Sequence, residues 1–279
     1  MQMKILRTLK YLRGRDRYTL SDVASLSRRW AVWRISPPET RCVRFQGHAF
    51  PPRELRYCGA DFRNDAYFVQ SAVKEAERLR EVLGLGPASR LLEVGCGPGR
   101  TAIGLLYASY PIGRYDGIDI DRRAIEWCRR FISRSHPEYQ FWTVDAKHER
   151  YNPHGREMTT AFSLPFDPGV FDIIYLHSVF ANMSEKDVRI YTREFRRLLS
   201  PRGRVFLTAF VEEGVPPLTV NPENYVMKPQ GPLMITRYEK GHLLSIFESC
   251  GFEVERFEYG KELDRQSGIY LRPPRSRVV

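Results

Sequence analysis

Three glycines, Gly95, Gly97 and Gly99, stand two apart directly after the run Leu91-Leu92-Glu93-Val94, and a helix-like segment from Thr101 to Tyr107 follows at once. Glycine has no Cβ, so such a loop can take positive φ and let a ligand approach the backbone. A strand that turns through it into a helix N-terminus offers free N–H groups to a polar or charged ligand. Alone, a GxGxG turn does not name that ligand. Asp119 narrows the choice. It lies 20 residues after Gly99, at the end of Tyr115-Asp116-Gly117-Ile118, where a carboxylate can accept from both hydroxyls of a ribose. Asp145-Ala146 follows Phe141-Trp142-Thr143-Val144 and sets a carboxylate where it can accept from an adenine amino group. His177-Ser178 follows Phe171-Asp172-Ile173-Ile174-Tyr175-Leu176 and adds an imidazole. Taken singly, Asp119 and Asp145 read equally well as turn or cap carboxylates. In series, ligand binding is the stronger reading.

These residues need a scaffold that brings four strand tips to one edge. Beyond residue 88, strands and helices alternate, the pattern of a parallel sheet covered by helices on both faces. The expected strands are 90–94, 114–119, 139–144, 171–176, 203–210, 252–259 and 268–272. The expected helices are 100–109, 121–134, 184–199 and 238–250, with Asp121 and Ser184 as N-caps; Ser184-Glu185-Lys186-Asp187 has the form of a capping box. Ahead of the sheet, Phe68, Val69, Ala72, Val73, Ala76, Leu79, Val82 and Leu83 trace an amphipathic helix from Asp65 to Leu83. Residues 211–236 carry Pro216-Pro217, Pro222, Pro229 and Pro232 and read as a long insertion of the kind that forms lids or substrate-binding segments.

The chain has 279 residues and a formal charge of +11, unevenly spread. Residues 1–66 hold 14 Lys/Arg against 6 Asp/Glu, so the remainder is close to balanced. Ile5, Leu6, Leu9 and Leu12 recur at helical spacing among Lys4, Arg7, Lys10 and Arg13. Residues 1–17 could therefore meet an anionic membrane surface or partner, although a surface helix packed on its own domain is the favoured reading. Residues 35–56, with Pro37-Pro38 and Pro51-Pro52, read as an extended connection. No apolar run approaches the roughly 20 residues of a membrane span, and the start lacks the features of a secretory signal. Five scattered cysteines without a CxxC pair suggest reduced thiols and no zinc site. The expectation is a cytoplasmic protein, with peripheral membrane contact as the alternative. The expected layout is a basic N-terminal extension over 1–56 and a catalytic domain over 57–279.

The ordered set Glu93-Val94-Gly95-Cys96-Gly97-Pro98-Gly99, Gly117-Ile118-Asp119, Asp145-Ala146 and Phe171-Asp172-Ile173-Ile174 resembles the class I S-adenosylmethionine-dependent methyltransferases. Leu198-Leu199-Ser200-Pro201-Arg202-Gly203-Arg204 is similar to that family's turn into its fifth strand. The resemblance covers roughly residues 57–272. It implies an α/β fold: a seven-stranded, mostly parallel, Rossmann-like sheet with helices on both faces and its last strand antiparallel. It implies S-adenosyl-L-methionine as methyl donor and S-adenosyl-L-homocysteine as product, held by Glu93, Gly95, Cys96, Gly97, Gly99, Asp119, Ile120, Asp145, Ala146 and His177. The segment Tyr57-Cys58-Gly59-Ala60-Asp61-Phe62 would close over the cofactor. A dinucleotide-dependent dehydrogenase is a poor fit, since its turn reads GxGxxG.

What receives the methyl group is less constrained. His177 is the candidate general base, and a structural contact to cofactor or loop is the even alternative. Relatives often carry a histidine where this chain has Asn182. The tetrapeptide typical of nucleic-acid amine methyltransferases is missing after the fourth strand, where Leu176-His177-Ser178-Val179 stands, and no carboxylate cluster suggests magnesium. The core looks closest to bacterial enzymes that methylate small molecules or sugars. An acceptor hydroxyl is the first expectation, with a small amine or, through the basic extension, a nucleic acid as alternatives. Under the insertion, Tyr225, Arg237, Tyr238 and His242 are the candidate acceptor contacts.

Overall fold

The computed structural model describes residues 36–275 apart from Cys58, Met227, Gln230 and Leu233. The amphipathic reading of residues 1–17 lies outside the described residues. At the centre is a sheet in which β3 (Arg90–Val94), β4 (Arg114–Asp119), β5 (Tyr139–Thr143), β6 (Phe171–Leu176), β7 (Leu199–Glu212), β10 (Glu253–Glu258) and β11 (Ser267–Arg272) lie in the order β10-β11-β7-β6-β3-β4-β5. Only β11 runs against its neighbours along this path. The expected sheet, including its antiparallel last strand, is therefore present.

Alternation along the strands sends successive side chains to opposite faces. Leu92, Val94, Ile174 and Leu176 join a core with α4 (Glu185–Leu198) and α5 (Lys240–Ser249). Leu91, Ile173 and Tyr175 join a second core with α1 (Asp65–Glu81), α2 (Arg100–Tyr107) and α3 (Arg122–Cys128). Caps start the helices as their residue types dictate. Asn64 Oδ1 accepts from the Tyr67 N–H at 3.1 Å, Asp121 Oδ1 from Arg123 at 2.9 Å, and Ser184 Oγ from Asp187 at 3.2 Å. The expected helix over 121–134 is α-helical only to Cys128 and continues as a π-helical turn over Arg129–Ser133.

Two segments differ from expectation. Residues 36–56 are not simply extended: β1 (Val43–Phe45) and β2 (His48–Phe50) form an antiparallel hairpin. Its two-residue turn, Gln46-Gly47, takes φ of 49° and 85°, as a tight hairpin turn requires. Phe50 and Leu55 are fully buried, and the Trp127 indole N–H donates to the Arg41 carbonyl at 2.8 Å. The 211–236 insertion is also partly ordered. β7 runs on to Glu212, β9 (Thr236–Glu239) pairs parallel with its end, and β8 (Leu218–Val220) pairs antiparallel with β9. Asn221 holds this flap, its Oδ1 accepting from the Met234 and Ile235 N–H groups at 3.1 and 3.0 Å.

Candidate functional site

The glycine loop is pinned to the neighbouring strand before any ligand is considered. The N–H groups of Gly95 and Cys96 both donate to the Ile118 carbonyl, at 2.8 and 3.1 Å. A Cβ on Gly95 would lie 2.4 Å from Val179 Cγ2, so the loop after β6 can cross here only over glycine. Gly97, at φ +50°, has nothing within 4 Å of the position a Cβ would take, and its bare face opens outward. Gly99 caps α2.

Asp119, at the tip of β4, is locked against this loop. Its Oδ2 accepts from the Gly97 N–H at 2.7 Å and its Oδ1 from the Asp121 N–H at 2.8 Å. Burial pushes the carboxyl pKa up, and the backbone donors of Asp121, Gly97 and Ile120 oppose it. A carboxylate oxygen accepts more than one hydrogen bond, so each retains capacity for a ligand hydroxyl. Tyr57 reaches the same tip, its hydroxyl donating to Asp121 Oδ2 at 2.6 Å. Arg56 fixes this segment at both ends. Its buried guanidinium donates to the carbonyls of Pro51 (2.9 Å) and Phe62 (3.2 Å) and pairs with Asp65 Oδ1 at 2.7 Å.

Other expected cofactor residues sit beneath or beside this face. Glu93 is buried, with Thr101 Oγ1 donating to Oε1 at 2.7 Å and the Tyr115 hydroxyl to Oε2. Burial raises its pKa to about 7 against those two donors. Glu93 thus braces β3, β4 and α2 from below the loop. The Cys96 side chain is buried in the core on the α1–α3 side, and burial pushes its thiol pKa well up. Ile120 packs on the other core with Trp142 and Val144. Asp145 is exposed and paired with Arg156 Nε at 3.3 Å, while the buried Ala146 gives its carbonyl to Asn152 Nδ2 at 3.0 Å.

His177 belongs to a buried polar cluster. Its Nε2 lies 3.6 Å from Glu75 Oε1 and 4.0 Å from Glu262 Oε2, and its Nδ1 is 3.2 Å from Ser178 Oγ. Arg100 reaches Glu75 at 3.6 Å, Arg78 reaches Glu262 at 2.8 Å, and the Tyr175 hydroxyl bonds Glu75 Oε2. Ser178 Oγ also accepts from Gln266 at 3.0 Å, and Gln266 Oε1 accepts from Thr208 at 2.7 Å. Burial lowers the His177 pKa to about 4 despite the attraction of Glu75. For Glu75 burial acts upward, but the charges of His177, Arg100 and Arg78 outweigh it and hold the carboxyl at about 2. Sequence reasoning missed Glu75, Arg78, Arg100, Glu262 and Gln266. One signal was available: Glu75 interrupts the otherwise apolar buried stripe Phe68, Ala72, Ala76 and Leu79 of α1.

The cluster predicts an acid limb in stability. The unfolded His177 ring gains its proton near pH 6.5 and the folded ring only near 4, so stability is lost as pH falls through that window. The full effect is on the order of 3 kcal/mol. Glu93 has the opposite sign, its folded-state pKa of about 7 lying above the ordinary 4.5, so it costs stability as pH rises between them. Melting curves at several pH values for wild type and His177→Gln isolate the first term. A drop on acidification that is equally steep in the variant would remove it.

The four candidate acceptor contacts do not converge. Tyr225 and Arg237 meet, the guanidinium carbon lying 5.5 Å from the ring centre. The Tyr238 side chain is buried in the core with its hydroxyl on the Met183 carbonyl at 3.2 Å, because Tyr238 and Arg237 alternate on β9. His242 lies on α5 and pairs with Glu185 at 2.9 Å. Core packing occupies Tyr238, and the contact with Glu185 occupies the His242 ring.

Residues 92–205 match a protein-family model, described as a methyltransferase domain. The match runs from β3 through the glycine loop into β7, and so covers the Asp119 site. Three solved structures share the fold at low identity. The PH0226 protein from Pyrococcus horikoshii OT3 superposes with a TM-score of 0.52 and 15% identity over 77% of this chain and 94% of that one. The [4+2]-cyclase SpnF gives 0.51 and 20%, over 74% and 82%. The 1,6-didemethyltoxoflavin-N1-methyltransferase of Burkholderia thailandensis, solved with S-adenosylhomocysteine, gives 0.50 and 14%, over 76% and 82%. A cyclase among them shows that the fold does not by itself fix the reaction. For the methyltransferase domain the cofactor is S-adenosylmethionine and the product S-adenosylhomocysteine. The residues present fit that cofactor: Gly97 has open space where a Cβ would stand, and the Asp119 carboxylate that accepts from its N–H keeps acceptor capacity for ligand hydroxyls. Among the described residues no group could hold a metal ion, and no helix is long and apolar enough to cross a membrane.

Proposed function

We propose that this chain transfers the methyl group of S-adenosylmethionine to a hydroxyl oxygen of a small molecule or glycan. The observation that carries the reading is the Asp119 carboxylate, fixed by two backbone N–H groups beside the bare face of Gly97 and bridged toward Tyr57 through Asp121. The cofactor supplies an electrophilic methyl on a sulfonium, so the protein's task is mainly to hold donor and acceptor in line and keep water out. Asp119 and the glycine loop would orient the donor, with Asp145 and Ala146 toward its base and the Tyr57 segment closing from above. The burial of the His177 ring, its Nδ1 contact with Ser178 Oγ and its low pKa favour a positioning role at the β6 tip over the role of general base. On the acceptor side the reading keeps Tyr225 and Arg237.

Calorimetry with S-adenosylmethionine and S-adenosylhomocysteine tests the donor half. Binding of both is expected; binding of neither would overturn the reading. The basic extension over 1–56 motivates the nucleic-acid alternative, whose affinity would fall steeply with salt. Filter binding at two salt concentrations separates it, and no retention at either removes it. Residues 1–17 of that extension are proposed as the site of any peripheral contact with an anionic surface.

A further inference from the structure

Past Asp145-Ala146 the chain makes a tight turn whose anchor, His148, has no part in the site described above. His148 and Asn152 exchange backbone hydrogen bonds, N–H to carbonyl, at 3.0 and 2.9 Å. Asn152 Nδ2 donates to the Ala146 carbonyl at 3.0 Å and folds the turn back on its own start. Inside the turn, His148 Nδ1 accepts from the backbone N–H groups of Arg150 and Tyr151 at 3.1 and 3.3 Å. A ring nitrogen that accepts carries no proton, so the proton of the neutral imidazole is on Nε2. Nε2 donates in turn to the Asn182 carbonyl at 2.6 Å. Asn182 ends the single turn Phe180–Asn182 after β6, and its Nδ2 donates to the Ser178 carbonyl at 3.0 Å. One imidazole thus ties the loop after β5 to the loop after β6. In the sheet, β3 and β4 stand between those two strands, so the tie joins the loops that flank the glycine loop and Asp119.

We propose that His148 is a positioning residue, which holds the loops on either side of the donor in register while its ring is neutral and releases them when the ring gains a second proton. The hydrogen-bond pattern requires this dependence. A proton on Nδ1 would face the Arg150 and Tyr151 N–H groups, a donor set against two donors, and the turn would open. The surroundings already oppose that proton. Burial lowers the His148 pKa below its ordinary 6.5, outweighing the Asn182 carbonyl, Asp187 in the first turn of α4 and Glu149, which all act upward; Arg150 adds to the lowering. The Tyr151 ring centre lies 4.9 Å from that of the imidazole and 5.3 Å from the Arg150 guanidinium carbon. The tie is therefore complete near neutral pH and is lost as pH falls below 6.5 through the folded value. Linkage makes the coupling reciprocal: a donor that binds the tied form better also makes His148 harder to protonate. The inference deepens the methyl-transfer reading and rests on it for placing the donor between these loops.

NMR of the full chain carrying ring-nitrogen-labelled histidine tests the proposal, with His148→Gln assigning the signal by its loss. Near neutral pH the His148 ring should show a bare Nδ1 and a protonated Nε2. Saturating S-adenosylhomocysteine should lower its titration midpoint by about one pH unit, the counterpart of binding about tenfold weaker to the protonated ring. Calorimetry reads the same coupling from the ligand side. His148→Ala should bind S-adenosylhomocysteine about tenfold more weakly than wild type at neutral pH. His148→Gln, whose amide can still donate to Asn182 but does not titrate, should stay within about threefold of wild type there and lose less affinity on acidification. A proton on Nδ1 at neutral pH, wild-type affinity in His148→Ala, or an equally steep acid loss in His148→Gln would overturn the proposal. The two possible failures are distinguishable. S-adenosylhomocysteine binding with an unmoved His148 midpoint overturns the positioning role alone, whereas no binding at any pH overturns the donor reading and that role with it.

Discussion

Asp119→Ala should weaken S-adenosylhomocysteine binding by about two orders of magnitude, the largest effect expected of any single side chain at the donor site. Two ligand hydroxyls would lose a charged acceptor, and hydrogen bonds to charged groups contribute roughly 1.5–3 kcal/mol each. A second effect compounds the first. The Gly97 and Asp121 N–H groups that Asp119 now accepts would lose their partner, so the loop itself would be less fixed. Asparagine is not a safe substitute. Its amide would turn an N–H toward one of those two backbone donors. Calorimetry, with a melting curve to confirm the fold, gives the answer; an affinity within about threefold of wild type would remove Asp119 from the site.

Gly104→Ala should lower stability by about 2–3 kcal/mol. In an isolated helix the same change would stabilise by about 1 kcal/mol, since alanine is the better helix former. Here the contact decides the sign. A Cβ on Gly104 would lie 2.0 Å from the Ala72 carbonyl oxygen and 2.5 Å from its carbon, both backbone atoms of α1. Rotamer change cannot relieve a clash with backbone, so α1 and α2 must separate. α1 carries Glu75 and Arg78, so the cluster around His177 would move as well. Urea denaturation should show a lower midpoint at unchanged slope. A midpoint at or above wild type would refute the close packing of these helices.

Gly104 also shows where the sequence stops being legible. Inside Thr101-Ala102-Ile103-Gly104-Leu105 it reads only as a weak helix position, because its reason lies in a helix 23 to 39 residues upstream. The strands were easier. β3, β4 and β6 match their expected bounds because short apolar runs end in polar or glycine tips, Gly95, Asp119 and His177-Ser178, which local chemistry suffices to place. β7 was read too short, since Ser200-Pro201-Arg202-Gly203 looks like a turn, yet the pairing at Leu199 is made by Phe171. The hairpin over 43–50 was hidden by flanking prolines, and its stability comes from Phe50 reaching a distant core. At the site, Asp119 and the glycines followed from spacing. The partners of His177 did not, because α1, α2 and the segment before β11 meet there only in three dimensions.

The Trp127–Arg41 hydrogen bond joins residues 86 apart in the chain, and Phe50 and Leu55 depend on the same late-arriving core. During synthesis, the hairpin segment therefore leaves the ribosome well before α3 exists to receive it. Closing so long a loop costs entropy before any contact repays it. Docking of residues 41–55 is then a late folding event, and an interval in which Phe50 stays uncovered is built into the order of the chain.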